Sequence, residues 1–160
     1  MIQTIHNLLN TLPQVGKVSW IGLRPERRAP INCVSKVEAT TELGLVGDRY
    51  SGSSGKRHVT LIQHEHLPVI ASALGLDNCP PELLRRNISV SGINLLALKG
   101  KEFSIGGAIL KHTGLGHPCS FMETTFGPGG YNAVRGHGGI TAEVIKNGEI
   151  AINDSVYFIE

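Results

Sequence analysis

Twenty glycines and eight prolines cut this 160-residue chain into apolar runs too short for long helices. Glycine admits positive φ and proline fixes a bend, so a chain interrupted this often, and without any repeat, reads as short strands joined by tight turns. Extended runs are expected at 15–22, 31–39, 57–62, 88–90, 95–98, 102–105, 108–113, 140–145, 150–152 and 155–159. Lys99-Gly100-Lys101 and Gly106-Gly107 supply the turns of a meander, and Asn147-Gly148 predicts a hairpin between the runs on either side. Helical spacing is confined to Leu67, Ile70, Ala71 and Leu74, with Pro68 early and Gly75 as a stop. Shorter helices are expected near Pro80-Pro81-Glu82 and from Cys119 to Thr125. Many short, antiparallel strands with two or three helices predict a mainly β fold, a closed or partly open β-barrel. One domain over 1–160 is expected, its core about 15–159. Residues 1–14 form an extension whose Ile5, Leu8, Leu9 and Leu12 make an amphipathic segment ended by Pro13, a candidate homodimer contact.

Charge narrows the partners. A net charge of +2, with basic residues scattered in pairs, argues against nucleic acid and against an anionic membrane, and leaves a small molecule as the natural ligand. No apolar run is long enough to span a bilayer and the first residues lack signal-peptide character, so a cytoplasmic location is expected. Cys33, Cys79 and Cys119 make neither a CxxC pair nor a metal-finger spacing, and their odd number suits a reducing compartment.

The chemistry is expected at His112-Thr113-Gly114-Leu115-Gly116-His117-Pro118-Cys119-Ser120. Loops of this kind run over the surface, and a thiol that reacts as a thiolate needs exposure and nearby positive charge, which His112 and His117 are placed to provide. Rossmann and Walker spacings are both absent from the glycine loop. Three distant segments end an element on an arginine: Arg57-His58, Arg86-Asn87 and Arg135-Gly136-His137. Together with Cys119 they suggest one anionic pocket. The loop carrying Arg24, Arg27 and Arg28 is either a solvated stretch or a phosphate clamp. Ser51 to Gly55 reads as a mobile flap. His64-Glu65-His66 lacks the one-turn spacing of HExxH and reads as a lead into the following helix rather than a zinc site.

The ordered set of these pieces resembles the MOSC domain, the module named after the C-terminal part of molybdenum-cofactor sulfurases and found also as small stand-alone bacterial proteins. The likeness rests on Gly44-Leu45-Val46-Gly47-Asp48-Arg49, on Arg57-His58-Val59-Thr60-Leu61-Ile62 with Glu65, and on Arg85-Arg86-Asn87-Ile88 with Gly92. It continues through Leu98 and Gly100, Phe103-Ser104-Ile105-Gly106, Pro118-Cys119, Arg135-Gly136 with Gly138-Gly139, and Gly148-Glu149-Ile150 with Asp154. Two positions depart from the pattern: Asn153 stands where a glycine is usual, and His137 interrupts an Arg-Gly-Gly run.

The resemblance implies a β-rich barrel that binds the molybdenum cofactor, a molybdopterin, with Cys119 as metal ligand or persulfide carrier. It also implies that Arg86 and Asn87, with Arg57, Thr113, Arg135 and His137, hold the pterin's phosphate and polar edges. Such relatives suggest an oxidoreductase component that reduces N-hydroxylated or related N-oxygenated compounds, as the mitochondrial amidoxime-reducing component does, with electrons from a separate electron-transfer protein. A sulfur carrier charged on Cys119 by a cysteine desulfurase is the alternative, and a non-catalytic barrel for some other small anion is a third. The sulfurases' pyridoxal-phosphate site is not expected in 160 residues, nor is a flavin, haem or iron-sulfur motif seen.

Overall fold

A computed structural model describes residues 3–49 and 55–160. Positions 51–54 of the expected flap lie outside them. Eleven strands and four α-helices are found among the described residues. The strands are β1 (Gly16–Leu23), β2 (Asn32–Cys33), β3 (Lys36–Thr40), β4 (Gly44–Leu45), β5 (Val59–Gln63), β6 (Ile88–Ser91), β7 (Glu102–Ile105), β8 (Ala108–Leu115), β9 (Ile140–Lys146), β10 (Gly148–Ala151) and β11 (Ser155–Phe158). The helices are α1 (Ile5–Leu9), α2 (His66–Leu74), α3 (Ser120–Phe126) and α4 (Gly130–Val134). The main sheet runs β11-β7-β8-β9-β5-β6-β1, and β1 pairs again with β11, so seven strands close into a barrel with β2 appended. Strands β10, β3 and β4 form a second, three-stranded sheet whose Val37, Ala39, Leu45 and Ile150 join the main core.

Period-two alternation turns Ala108, Leu110 and His112 of β8, Phe103 and Ile105 of β7, and Ile88 and Val90 of β6 to the buried side. These residues meet Val18, Ile21, Leu61 and Val156 in one core, where each fully buried large apolar side chain contributes about 1.5–3 kcal/mol. A second cluster joins Ile62 of β5 to Ile70 of α2, Leu84, Met122 of α3 and Val134 of α4. Strand β5 is therefore covered on both sides, and all five of its residues are buried.

Four expectations need correction. Residues Leu95–Leu98 form a 3-10 turn, not a strand: Leu95 and Leu98 are buried three apart while Leu96 is exposed, and Asn94 Oδ1 accepts from Leu96 N at 3.2 Å. The Asn147-Gly148 hairpin does not form. Strand β9 pairs with β8 and β5 whereas β10 pairs with β3, and Gly148 allows a close backbone approach, since a Cβ there would lie 2.1 Å from Gly107 O. One pair of strands is parallel, β5 with β6, because α2 carries the chain back across the outside of the barrel. The run 31–39 breaks into β2 and β3. Helix α4, after Gly129, has no counterpart among the expected elements. Gly75 does stop α2, at φ 69°. Asn153 sits at φ 75°, the left-handed conformation that a glycine in that position would supply. In α1, capped by Thr4 Oγ1 accepting from Asn7 N at 3.1 Å, Ile5, Leu8 and Leu9 stay exposed, and only Leu12 beyond it packs on the core.

Candidate functional site: a thiol among arginines

The β8 strand runs out through Leu115, and Gly116-His117-Pro118 carries the chain to Cys119, the residue that precedes α3. The glycines here serve backbone contact. Gly116 N donates to Gly139 O at 2.8 Å, a Cβ on Gly138 would lie 1.9 Å from Gly116 O, and one on Gly139 1.8 Å from Leu61 O. The two glycine loops thus form a seam that no side chain fits. Arg86 clasps it from the other side, donating Nε to Gly138 O at 2.7 Å and Nη2 to His117 O at 3.1 Å.

Above this seam lies a pocket of about 340 Å3 lined by Cys119, Ser120, Phe121, Met122, His117, Leu84 and seven arginines, Arg24, Arg27, Arg28, Arg49, Arg57, Arg85 and Arg86. Among the described residues no carboxylate lines it. Asp48, its side chain wholly buried behind the wall, accepts from Arg24 N at 2.8 Å, Nε at 3.1 Å and Nη2 at 2.9 Å. Burial, with Arg24 and Arg57 adding to it and Cys119 opposing, pushes the Arg86 guanidinium down to about 10, so it stays charged at neutral pH. Burial, then Arg24 and Arg49, against Asp48, also lowers Arg85. Arg85 Nη1 donates to Ala29 O at 2.7 Å, but its Nη2 is buried without a partner. A buried donor left unmade costs about 1–3 kcal/mol.

The structure brings Cys119, Arg57 and Arg86 to this pocket and leaves the other candidates elsewhere. Asn87 is wholly buried behind it: Oδ1 accepts from Thr60 N and Oγ1, and Nδ2 donates to Gly22 O at 3.1 Å and Asp48 Oδ1 at 3.0 Å. With both amide hydrogens engaged, it braces β1, β5 and Asp48. Thr113 Oγ1 bonds Lys56 O and Thr141 Oγ1. Arg135 is exposed and donates to Asn132 Oδ1 at 3.2 Å on its own helix. His137 stacks edge-on with His66, ring centroids 5.0 Å apart, its Nδ1 buried and unpartnered. Nor does His112 attend the thiol, being turned into the barrel, where Nδ1 accepts from Gly100 N at 3.2 Å. His64 Nδ1 lies 2.8 Å from Ser89 Oγ, and no group of three His, Cys, Asp or Glu among the described residues is arranged for a metal ion. Among the described residues no helix is long and apolar enough to cross a membrane.

The pocket also holds Arg24, Arg27, Arg28, Arg49 and Arg85, of which the sequence offers Arg24, Arg27 and Arg28 only as a solvated stretch or a phosphate clamp. Arg49 and Arg85 stood in the motif without a role, and only folding shows that they face the cysteine.

The MOSC domain family matches residues 45–157. Among solved structures, the YuaD protein of Bacillus subtilis is similar at 18% identity and TM-score 0.77, over 91% of this chain and 97% of that one. YiiM of Geobacillus stearothermophilus is similar at 15% identity and TM-score 0.74, over 91% of this chain and 75% of that one. YiiM of Escherichia coli is similar at 18% and 0.68, over 90% and 70%. No curated protein sequence matches. A family match over most of its length makes the chain a member of the MOSC domain family, which is associated with the molybdenum cofactor.

Proposed function

We propose that the chain holds the molybdenum cofactor in the arginine pocket, with Cys119 as a metal ligand, and acts as a component of a reductase for N-hydroxylated or related N-oxygenated compounds. The observation that carries the reading is one pocket that combines an exposed thiol with seven guanidinium groups and no lining carboxylate. The donor set fits the group. The arginines that line the pocket suit the oxygens of a phosphate, and a thiolate is a soft ligand of the kind such a metal takes. When bound, the cofactor would supply the redox chemistry that no side chain here can perform.

The protein's own part is positioning. Arg86 fixes the carbonyls of His117 and Gly138 and thereby the loop that presents Cys119. Asp48 and Asn87 hold Arg24 against the wall, so its guanidinium is ordered before any anion arrives. Electrons would come from a separate redox protein.

Purified from a cofactor-competent host, the chain is expected to retain molybdenum and pterin near one per chain, and Cys119→Ser to lose molybdenum affinity by at least about 100-fold. Wild-type protein empty of both, from a host that loads a control molybdoenzyme, defeats the reading.

The exposure of Cys119 also favours the sulfur-carrier reading. That reading requires a gain of one sulfur in mass on Cys119 after incubation with a cysteine desulfurase and cysteine. Equal gain by Cys119→Ser rules it out.

A further inference from the structure

A second compartment opens beside the arginine pocket. It encloses about 390 Å3 and shares two residues with its neighbour, Phe121 and Arg85. Ile31, Leu83 and Thr125 complete an apolar groove, with Glu82 its carboxylate. Leu83 is 38% exposed although a leucine gains by burial, and Ile31 and Phe121 are only half-buried. Phe121 stands two residues after Cys119 and Thr125 one turn further along α3, so the groove leads away from the thiol along that helix. The Arg28 guanidinium lies over the Phe121 ring, 5.3 Å from its centroid.

We propose that this groove takes the body of the substrate, and that the substrate class is a small organic anion with an aromatic or branched apolar body and a carboxylate or similar oxyanion. The proposal rests on the reading of the Cys119 pocket as the reaction site. Charge sets the orientation. The anionic group belongs at the Arg85 end, where the groove meets the arginine pocket and Arg28 adds a second cation, whereas Glu82 repels an anion from the groove. The body then covers Leu83, Ile31 and the flank of Phe121. The volume holds about one fused ring pair, within the range of small-molecule sites.

Calorimetric titration of the full chain with naphthalene-2-carboxylate and its neutral counterpart 2-naphthalenemethanol tests the idea. The carboxylate is expected to bind at least about tenfold tighter, the difference one charged hydrogen bond makes. Leu83→Glu places a second carboxylate at the groove and is expected to weaken naphthalene-2-carboxylate binding by about tenfold or more, with inorganic phosphate affinity within about twofold of wild type. Thr125→Tyr, which fills the groove from α3, gives the same loss without a charge. Equal binding of acid and alcohol, or binding unaffected by both substitutions, overturns the proposal. Molybdenum content measured on the same samples reports on the cofactor alone, so either reading can fail while the other stands.

Discussion

Two pockets of this barrel differ in a way that size does not capture. The one beside Glu65, lined also by Gln63, His66, Gly92, Asn94 and Leu96, encloses about 740 Å3, against about 340 Å3 around Cys119. Yet the Glu65 carboxylate is answered within the protein: Oε1 accepts from Gln63 Nε2 at 2.8 Å and Oε2 from Gly92 N at 2.9 Å. Gln63 Oε1 in turn accepts from Leu95 N at 3.0 Å. That charge is a strut between β5, β6 and the 3-10 turn. Around Cys119 seven guanidinium groups meet one carboxylate, set behind the wall, and a buried Nη2 has nothing to bond. Charge left uncompensated, not volume, marks the place where a ligand is needed to complete the structure.

The contrast can be broken first at the seam beneath the arginine pocket. Gly138→Ala forces a Cβ to within 1.9 Å of Gly116 O and is expected to cost about 3 kcal/mol in urea unfolding while displacing the Cys119 loop. Gly136→Ala, at φ 81° but with no atom within 4 Å, should cost about 1 kcal/mol. Equal costs would show that the seam is not tight.

Next in size, Arg85→Gln is expected to weaken inorganic phosphate binding about tenfold by calorimetry, and to cost about 1 kcal/mol of stability through the lost bond to Ala29 O. Glu65→Gln sharpens the comparison from the other side, with less than about 1 kcal/mol lost and phosphate affinity unchanged. A change in phosphate binding there would mean that the two pockets are coupled.

The smallest effect per residue is in pH. Burial lowers His58, His66 and His112 from 6.5, with Glu143 opposing at His58, His137 adding at His66 and Lys99 adding at His112. A lowered histidine is more readily protonated in the unfolded chain, so its contribution is whole above 6.5 and is lost as pH falls from there toward the folded value. The urea midpoint should therefore drop between about pH 7.5 and about pH 5.5, and His112→Gln should flatten that drop. An unchanged slope would mean that His112 is not held neutral. Below that window Glu65 takes over. Burial works to raise its carboxyl, but the hydrogen bonds from Gln63 and Gly92 outweigh it and hold the group under 4.5, so its share of stability is lost only as pH falls through that lower value.

Much of the barrel was legible because short-range signals agree with the fold. Period-two patterning marks β7 and β8, Gly75 ends α2 at positive φ, and the run into Pro118-Cys119 leaves a strand for the surface. The signals that misled were local ones overruled by packing. Asn147-Gly148 has hairpin chemistry, but β10 finds a better partner in β3, and Leu95–Leu98 looks extended until both of its end leucines are required inside the core.

By itself the sequence determined the shortness of the strands, the stop signals, and a solitary cysteine on a loop, because these follow from φ preferences and periodicity within a few residues. Only tertiary structure decided which arginines meet that cysteine. Arg24, Arg49 and Arg85 come from three separate connecting segments, while Arg135, alike in sequence setting, faces elsewhere. Barrel closure sets those distances, and closure depends on pairings such as Gly16 with Val156, between residues far apart in the chain, that no local pattern encodes.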